Sequence, residues 1–207
     1  MPTGFALRLF AVVAAAFMAA GCASTPPDNI SNACDIFEDK GGWYRATHKA
    51  EKRWGLPKHI QLAIIRQESG FDADAKPERR RFLFVFPGAR KSSARGYPQA
   101  VEGTWSLYER DSGNRNANRR SFSDAADFVS WYARQSNRRA GVPLNNAYRQ
   151  YLAYHEGWEG YRDGSWRRKA WLRDVAENVS RNAAAYRAQL DRCERRFCRG
   201  IPFLPFI

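Results

Sequence analysis

The chain has 207 residues and no internal repeat, so it has room for one ordinary domain once its apolar ends are set aside. Its formal net charge of +13 favours an anionic partner. Only its N-terminal stretch has the apolar character of a membrane-directed segment, which argues against a protein with several membrane spans.

The N-terminus has the pattern of a cleaved secretory signal over residues 1–21. Arg8 precedes an almost unbroken apolar run at residues 9–20, which is shorter than the roughly 20 residues that cross a bilayer. Small residues come just before Cys22, as in a bacterial lipobox, although Ala19 stands where leucine is usual. We predict that Cys22 is lipidated, with ordinary signal cleavage nearby as the alternative.

The remaining chain divides into a polar linker at residues 22–33, a domain at 34–198 and an apolar tail at 199–207. Prolines in the tail exclude a regular helix there. The residues after Cys22 lack the aspartate that would suggest retention at the inner membrane. We therefore predict a periplasmic protein that a lipid anchors to the outer membrane.

Helical patterns recur along the domain, and the alternation typical of strands is missing. The predicted helices cover residues 42–54, 57–68, 121–139, 145–155 and 165–192. Ser121 and Asp124 resemble a capping box at the start of the third of these helices. The pattern predicts an all-α fold.

Glu68 lies at the end of the second predicted helix. Ile60 and Ile64 are four residues apart on one helix face, and Glu68 is the next position on that face. A carboxylate removed from water is harder to ionise, and the C-terminal end of a helix adds a smaller effect of the same sign. We predict that Glu68 is an acid catalyst with a raised pKa; the alternative is a solvated residue in the last turn.

An insertion rich in basic and aromatic residues follows at 79–90. Its apolar run at residues 82–86 precedes a Pro-Gly pair, which fits either a hairpin arm or an exposed wall of a cleft. We describe it as an irregular insertion.

The cysteines predict one disulfide if Cys22 is acylated, because three thiols then remain in an oxidising compartment. We favour Cys34 with Cys193, which directly follows the last helix, over Cys198 in the following segment. Such a bridge would join the two ends of the domain. Zinc is a weaker alternative because no paired C-x-x-C spacing is present.

Three blocks in order resemble the lytic transglycosylases of the soluble-lytic-transglycosylase (SLT) type, which share a fold with goose-type lysozyme. Residues 68–71 read Glu-Ser-Gly-Phe, like the family's Glu-Ser-x-Phe segment. Residues 92–100 contain Gly96 and Gln99 in the place of the family's Gly-Leu-Met-Gln. Residues 152–157 stand where the family has Ala-Tyr-Asn-Ala-Gly, with His-Glu replacing Asn-Ala. The resemblance covers residues 43–161 and suggests a divergent lipoprotein subfamily.

The resemblance implies a single lysozyme-like helical domain in which Glu68 is the acid/base catalyst. It also implies substrate-binding roles for Ser69, Tyr97, Gln99 and Tyr154. The purely structural alternatives are core packing for the two tyrosines and helix capping for Gln99. We favour a functional role for Gln99 and Tyr154, and Tyr154 could also orient Glu68.

The implied reaction cleaves the β-1,4 bond between N-acetylmuramic acid and N-acetylglucosamine without water and leaves a 1,6-anhydromuramyl end. A lysozyme-type hydrolase is the first alternative, with Glu102 or Asp72 as the carboxylate that activates water. A peptidoglycan-binding lipoprotein without catalysis is the second.

The anionic partner predicted from the charge is then peptidoglycan, since an exported lipoprotein rarely meets nucleic acid. We predict no cofactor and no metal. His155 and Glu156 begin a metalloprotease-like pattern, but Glu159 stands where its second histidine would be.

Overall fold

The computed structural model describes residues 25–77, 79–82, 86–90 and 92–198, with residues 79–82 and 86–90 described for the backbone alone. The predicted signal, Cys22 and the tail at 199–207 lie outside the described residues. None of the helices in the described ranges combines the length and the hydropathy that a bilayer-spanning segment needs.

The fold is all-α apart from one short hairpin, as predicted. The helices are α1 (Ala33–Asp39), α2 (Gly41–Trp54), α3 (Lys58–Ser69), α4 (Glu102–Ser112), α5 (Phe122–Ala140), α6 (Ala147–Arg162) and α7 (Ala170–Cys198), with a 3₁₀ turn at Ser165–Arg168 and strands β1 (Arg79–Phe82) and β2 (Phe86–Arg90). All five predicted helices are present. The last one is divided, because the 3₁₀ turn precedes α7 and α7 continues to Cys198.

Helix α3 lies at the centre of the domain, where it packs against α5 and α7. Its residues 60–65 are at most 1% exposed, so the helix is buried on every side rather than along one stripe. A helix that is apolar all round belongs in a core. Gln61 is the polar exception, and its Nε2 donates to the carbonyl oxygens of Thr47 and Leu56.

Two helices were not predicted, α1 and α4. Helix α1 has 7 residues and follows the N-cap Asn32, whose side chain accepts a hydrogen bond from Cys34 N. Helix α4 buries only Trp105 and Tyr108, so its sequence has little of the periodicity that identifies a helix. Both helices depend on packing that the local pattern does not encode.

One of the two hydrogen bonds of the predicted capping box at the start of α5 is present. Ser121 Oγ accepts from Asp124 N at 3.4 Å. The Asp124 carboxylate does not complete the box; it accepts from Asn114 Nδ2 and Asn118 N, which belong to the loop before the helix. The capping residues therefore also fix the path of that loop.

The basic and aromatic insertion forms an antiparallel β-hairpin between α3 and the loop before α4. Arg79 pairs with Arg90 and Phe82 with Phe86, with a register shift between Arg79 and Arg81. Among the described residues of the insertion, this shift is the departure from regular pairing. A hairpin arm, one of the two expected alternatives for residues 82–86, agrees with the strand ends at Phe82 and Phe86.

The disulfide between Cys34 and Cys193 is confirmed, with 6.1 Å between the two Cα atoms. It joins α1 to the C-terminal part of α7. Ala33 N also donates to Gln189 Oε1 at 2.8 Å, so the two ends of the domain are held by a covalent bond and by hydrogen bonds. Cys198 is a free thiol whose Sγ lies 3.0 Å from the Tyr44 hydroxyl.

Removal of the bridge should destabilise the domain, because it closes a loop of 159 residues. We expect the double variant Cys34→Ala/Cys193→Ala to lose about 4 kcal/mol in the free energy of unfolding. Urea denaturation measures this loss. Cys198→Ser, which keeps the bridge, is the control, and a comparable loss in that variant would contradict the assignment.

Candidate active site

Glu68 occupies the last turn of α3, at the point where the buried helix reaches the surface of the core. The helix ends at Ser69, and the chain then reverses through Gly70 and Phe71, which have φ angles of 59° and 64°. The Phe71 side chain is completely buried and packs against Trp43 at 5.7 Å between ring centroids. This buried anchor fixes the reversed turn, and with it the position of the carboxylate.

A cleft of about 400 Å³ opens in front of Glu68. Its wall consists of residues from four segments: the end of α3, the loop and first turn of α4, the middle of α5, and the centre of α6. The lining residues are Glu68, Gln99, Ala100, Val101, Thr104, Phe128, Tyr132, Tyr154, His155, Glu156 and Gly157. The sequence blocks around residues 68, 99 and 154 therefore do meet in one place.

The Glu68 carboxyl is partly buried, and burial raises its pKa from 4.5 to about 7. A smaller opposing effect comes from the Tyr151 hydroxyl, which donates a hydrogen bond to the carboxylate. A substantial fraction of Glu68 is consequently protonated at neutral pH. This state is the one that a general acid requires.

The hydroxyl of Tyr151, rather than that of Tyr154, donates to the Glu68 carboxylate, so Tyr151 is placed to orient it. The two tyrosines lie three residues apart on α6, and both are close to Glu68. The Tyr154 hydroxyl, however, donates to the Pro98 carbonyl oxygen. The Tyr154 ring packs edge-on against Tyr132 at 5.1 Å. Tyr154 is therefore a wall residue of the cleft that ties α6 to the loop before α4.

Gln99 lines the cleft and holds the loop before α4 in place. Its Nε2 donates to the carbonyl oxygens of Gly96 at 2.8 Å and Ala75 at 3.0 Å, while its own backbone has a φ of 45°. The amide hydrogens are thus used within the protein. Its Oε1 is the atom that can accept a hydrogen bond from a bound molecule.

Gly96 is required by a close approach between two loops. A Cβ at this position would lie 2.1 Å from the Arg119 carbonyl oxygen, which accepts from Tyr97 N at 3.1 Å. The Arg119 guanidinium in turn donates to the carbonyl oxygens of Ser93 and Ala100. Arg119, which sequence reasoning did not single out, therefore holds the cleft loop from both sides.

Tyr97 is not a cleft residue. Its side chain is 1% exposed and packs edge-on against Trp43 and Phe122, each at 5.6 Å. After the tight turn at Gly96, Tyr97 therefore packs as a core aromatic residue. Ser69 is also outside the cleft wall, and its Oγ donates to the Ile65 carbonyl oxygen at 3.2 Å.

Glu156 provides a second carboxylate in the cleft. Its side chain is 4% exposed and accepts from Lys169 Nζ at 2.7 Å and from Ser165 Oγ, and His155 Nδ1 lies 3.2 Å away. Burial alone would raise the pKa of Glu156, but these three neighbours together hold it below its usual value. The cleft therefore contains a protonatable Glu68 and an ionised Glu156.

The carboxylates expected to serve a hydrolase, Asp72 and Glu102, are not among the residues that line the cleft. The second carboxylate that lines the cleft is that of Glu156, and α6 departs from helical geometry at the next residue, Gly157, where φ is 76° and ψ is 168°. Gly157 is the last residue of the third sequence block. Its presence was the sequence signal that the helix departs from regular geometry next to Glu156. In the described part of the chain, no group of three or more His, Cys, Asp and Glu residues could hold a metal ion.

Comparison with known proteins gives one family. A family model described as "Transglycosylase SLT domain" matches residues 10–193, which is most of the chain. The matched span begins within the apolar N-terminal segment and ends at the disulfide residue Cys193. No curated protein matches the chain.

The loop contact at Gly96 predicts a large effect of one added methyl group. Gly96→Ala should lower the free energy of unfolding by more than about 2 kcal/mol, because its φ is +66° and its Cβ would overlap the Arg119 backbone. Gly103→Ala is the matched control, since a Cβ there meets nothing within 4 Å. Urea denaturation compares the two variants, and equal stabilities would contradict this contact.

Burial of Glu68 also predicts that the free energy of unfolding depends on pH. Between about pH 4.5 and 7 the folded chain keeps a proton that the unfolded chain has lost, so stability falls as pH rises through this window. Relative to wild type, Glu68→Gln should gain about 3 kcal/mol in unfolding free energy between pH 4.5 and 8. Denaturation at both pH values measures this gain. The exposed Glu159→Gln is the control, and the same gain there would rule out burial as the cause.

Proposed function

The chain belongs to the transglycosylase SLT domain family, and from this membership we propose that it cleaves the glycan strands of peptidoglycan as a lytic transglycosylase. The observation that carries the proposal is the partly buried Glu68, whose pKa is raised to about 7 at the edge of a cleft of about 400 Å³. Family membership indicates the substrate, and the cleft supplies an acid in the required protonation state.

The proposed reaction uses one carboxyl group for both proton transfers. Protonated Glu68 gives its proton to the glycosidic oxygen as the bond to C1 of N-acetylmuramic acid breaks. The substrate's acetamido group shares the positive charge that develops at C1. The Glu68 carboxylate then takes the proton of the C6 hydroxyl as O6 bonds to C1. The 1,6-anhydro ring results, and Glu68 is protonated again for the next turnover.

The surrounding residues fit this use of Glu68. Tyr151 holds the carboxylate in one orientation, which keeps it aimed at the same position in both halves of the reaction. Gln99 Oε1 can accept from an acetamido N–H or a sugar hydroxyl. Phe128 and Tyr132 supply apolar wall at the same cleft, which limits the access of water.

A lysozyme-type hydrolase is the second candidate, and Glu156 is the observation that favours it. An ionised carboxylate in the same cleft could activate a water molecule. Its oxygens, however, already accept from Lys169 and Ser165. A water would have to compete with these partners, so the non-hydrolytic route is the better supported of the two.

We also propose that the protein works in the periplasm, tethered to the outer membrane by a lipid on Cys22. The support is the sequence alone: the signal-like residues 1–21, the small residues before Cys22 and the lack of an aspartate after it. The net charge of +13 suits a wall polymer that carries carboxylates.

Digestion of purified peptidoglycan tests the reaction. The wild-type chain should release muropeptides with 1,6-anhydromuramyl ends, and Glu68→Gln should lower the rate by about a thousandfold or more because its amide cannot donate a proton as an acid does. Mass spectrometry identifies the ends, and Glu159→Gln should match wild type. Reducing ends that disappear in Glu156→Gln would instead establish the hydrolase. Absence of product from the folded chain would favour the binding-protein alternative.

A further inference from the structure

The exposed large hydrophobic side chains of the described residues border the same cleft. They are Val101, which is 42% exposed, and Trp171, which is 55% exposed. Val101 lines the cleft directly, and Trp171 contacts His155, which lines it. A molecule bound in the cleft could therefore cover Val101 directly and reach Trp171 next to His155.

Trp171 differs from the other tryptophans of the chain. The six others are buried or partly buried, and several donate their indole N–H to a protein acceptor. Trp171 lies in the first turn of α7, where its ring meets the His155 ring at 5.1 Å and an angle of 79°. In such an edge-to-face pair at least one face of the indole is left uncovered by the histidine.

The start of α7, which carries Trp171, is anchored by two contacts. Leu172, the next residue, is fully buried and anchors the start of α7 in the core. Lys169, two residues before Trp171, forms the 2.7 Å ion pair with Glu156 on α6. The end of α6 and the start of α7 are thus joined beside the cleft, so the backbone that carries Trp171 is held in place before any ligand arrives.

We propose that Trp171, together with His155, forms a sugar subsite that extends the cleft beyond Glu156. One pyranose ring of a β-1,4-linked glycan strand would place its C–H face on the indole, while its hydroxyl groups meet His155 and Lys169. The inference rests on the proposed function for the identity of the polymer.

The chemistry of the surface favours a sugar as occupant. A pyranose has an apolar C–H face and a polar rim, so it matches an aromatic face surrounded by hydrogen-bonding groups. The ionised Glu156 and the charged Lys169 beside the indole are unsuited to lipid chains. Continuity with the cleft means that a strand bound at Glu68 could reach Trp171 through the wall residues 155 and 156.

The direct test is binding of tetra-N-acetylchitotetraose to the full chain carrying Glu68→Gln, measured by isothermal titration calorimetry in detergent. Adding Trp171→Ala should weaken binding about tenfold, whereas Trp171→Phe should stay within about threefold because it keeps an aromatic face. Asn178→Ala is the matched control, since Asn178 is exposed about two turns farther along the same helix face. Circular dichroism and thermal melting check that each variant is folded.

Turnover of peptidoglycan by chains that retain Glu68 gives the second readout. Trp171→Ala should raise KM about tenfold and leave kcat within about twofold, as expected for lost binding shared by ground state and transition state. An unchanged KM together with unchanged chitotetraose affinity overturns the subsite. If wild type yields anhydromuramyl ends in that case, the proposed function stands alone. Conversely, Trp171-dependent binding by a chain that yields reducing ends or none keeps the subsite and overturns the proposed reaction.

Discussion

The site depends on partly burying one carboxyl group in the last turn of a helix whose residues 60–65 are enclosed on every side. Because α3 has no solvent face between residues 60 and 65, its last turn emerges directly into the cleft and carries Glu68 there. A helix with one solvated side could roll or shift to hydrate the acid. Here α5 and α7 prevent this movement, so the position of Glu68 and its raised pKa have the same origin.

The opposite wall is built from a loop, which would be expected to move unless it were restrained. Gln99 binds it to Ala75, just after the α3 turn, and Arg119 binds it to the segment before α5. Gly96 allows the two backbones to approach closely enough for these bonds. The loop is therefore held by hydrogen bonds from two neighbouring segments, and the cleft exists before a substrate enters.

The sequence predicts those parts of the molecule that local patterns determine. The long helices have clear periodicity, and Glu68, Gln99 and Tyr154 belong to the short blocks on which the family resemblance rests. Tyr151 and Glu156 were not identified because their roles depend on how α6 faces α3 and on the break at Gly157, which are tertiary features. Tyr97 shows the converse, since a residue inside a functional block was assigned to the substrate although the turn buries it.

Helix α7 extends from the cleft to the disulfide that joins the two ends of the domain. Its first turn borders the cleft at Trp171, and its far part carries the bridge to Cys34, next to the segment that leads back to Cys22. At 1.5 Å per residue, Trp171 and Cys193 are about 33 Å apart along this helix. With the proposed lipid on Cys22, the length of α7 would separate the cleft from the end of the domain that faces the bilayer. Such spacing would direct the cleft towards strands that lie above the membrane surface rather than against it.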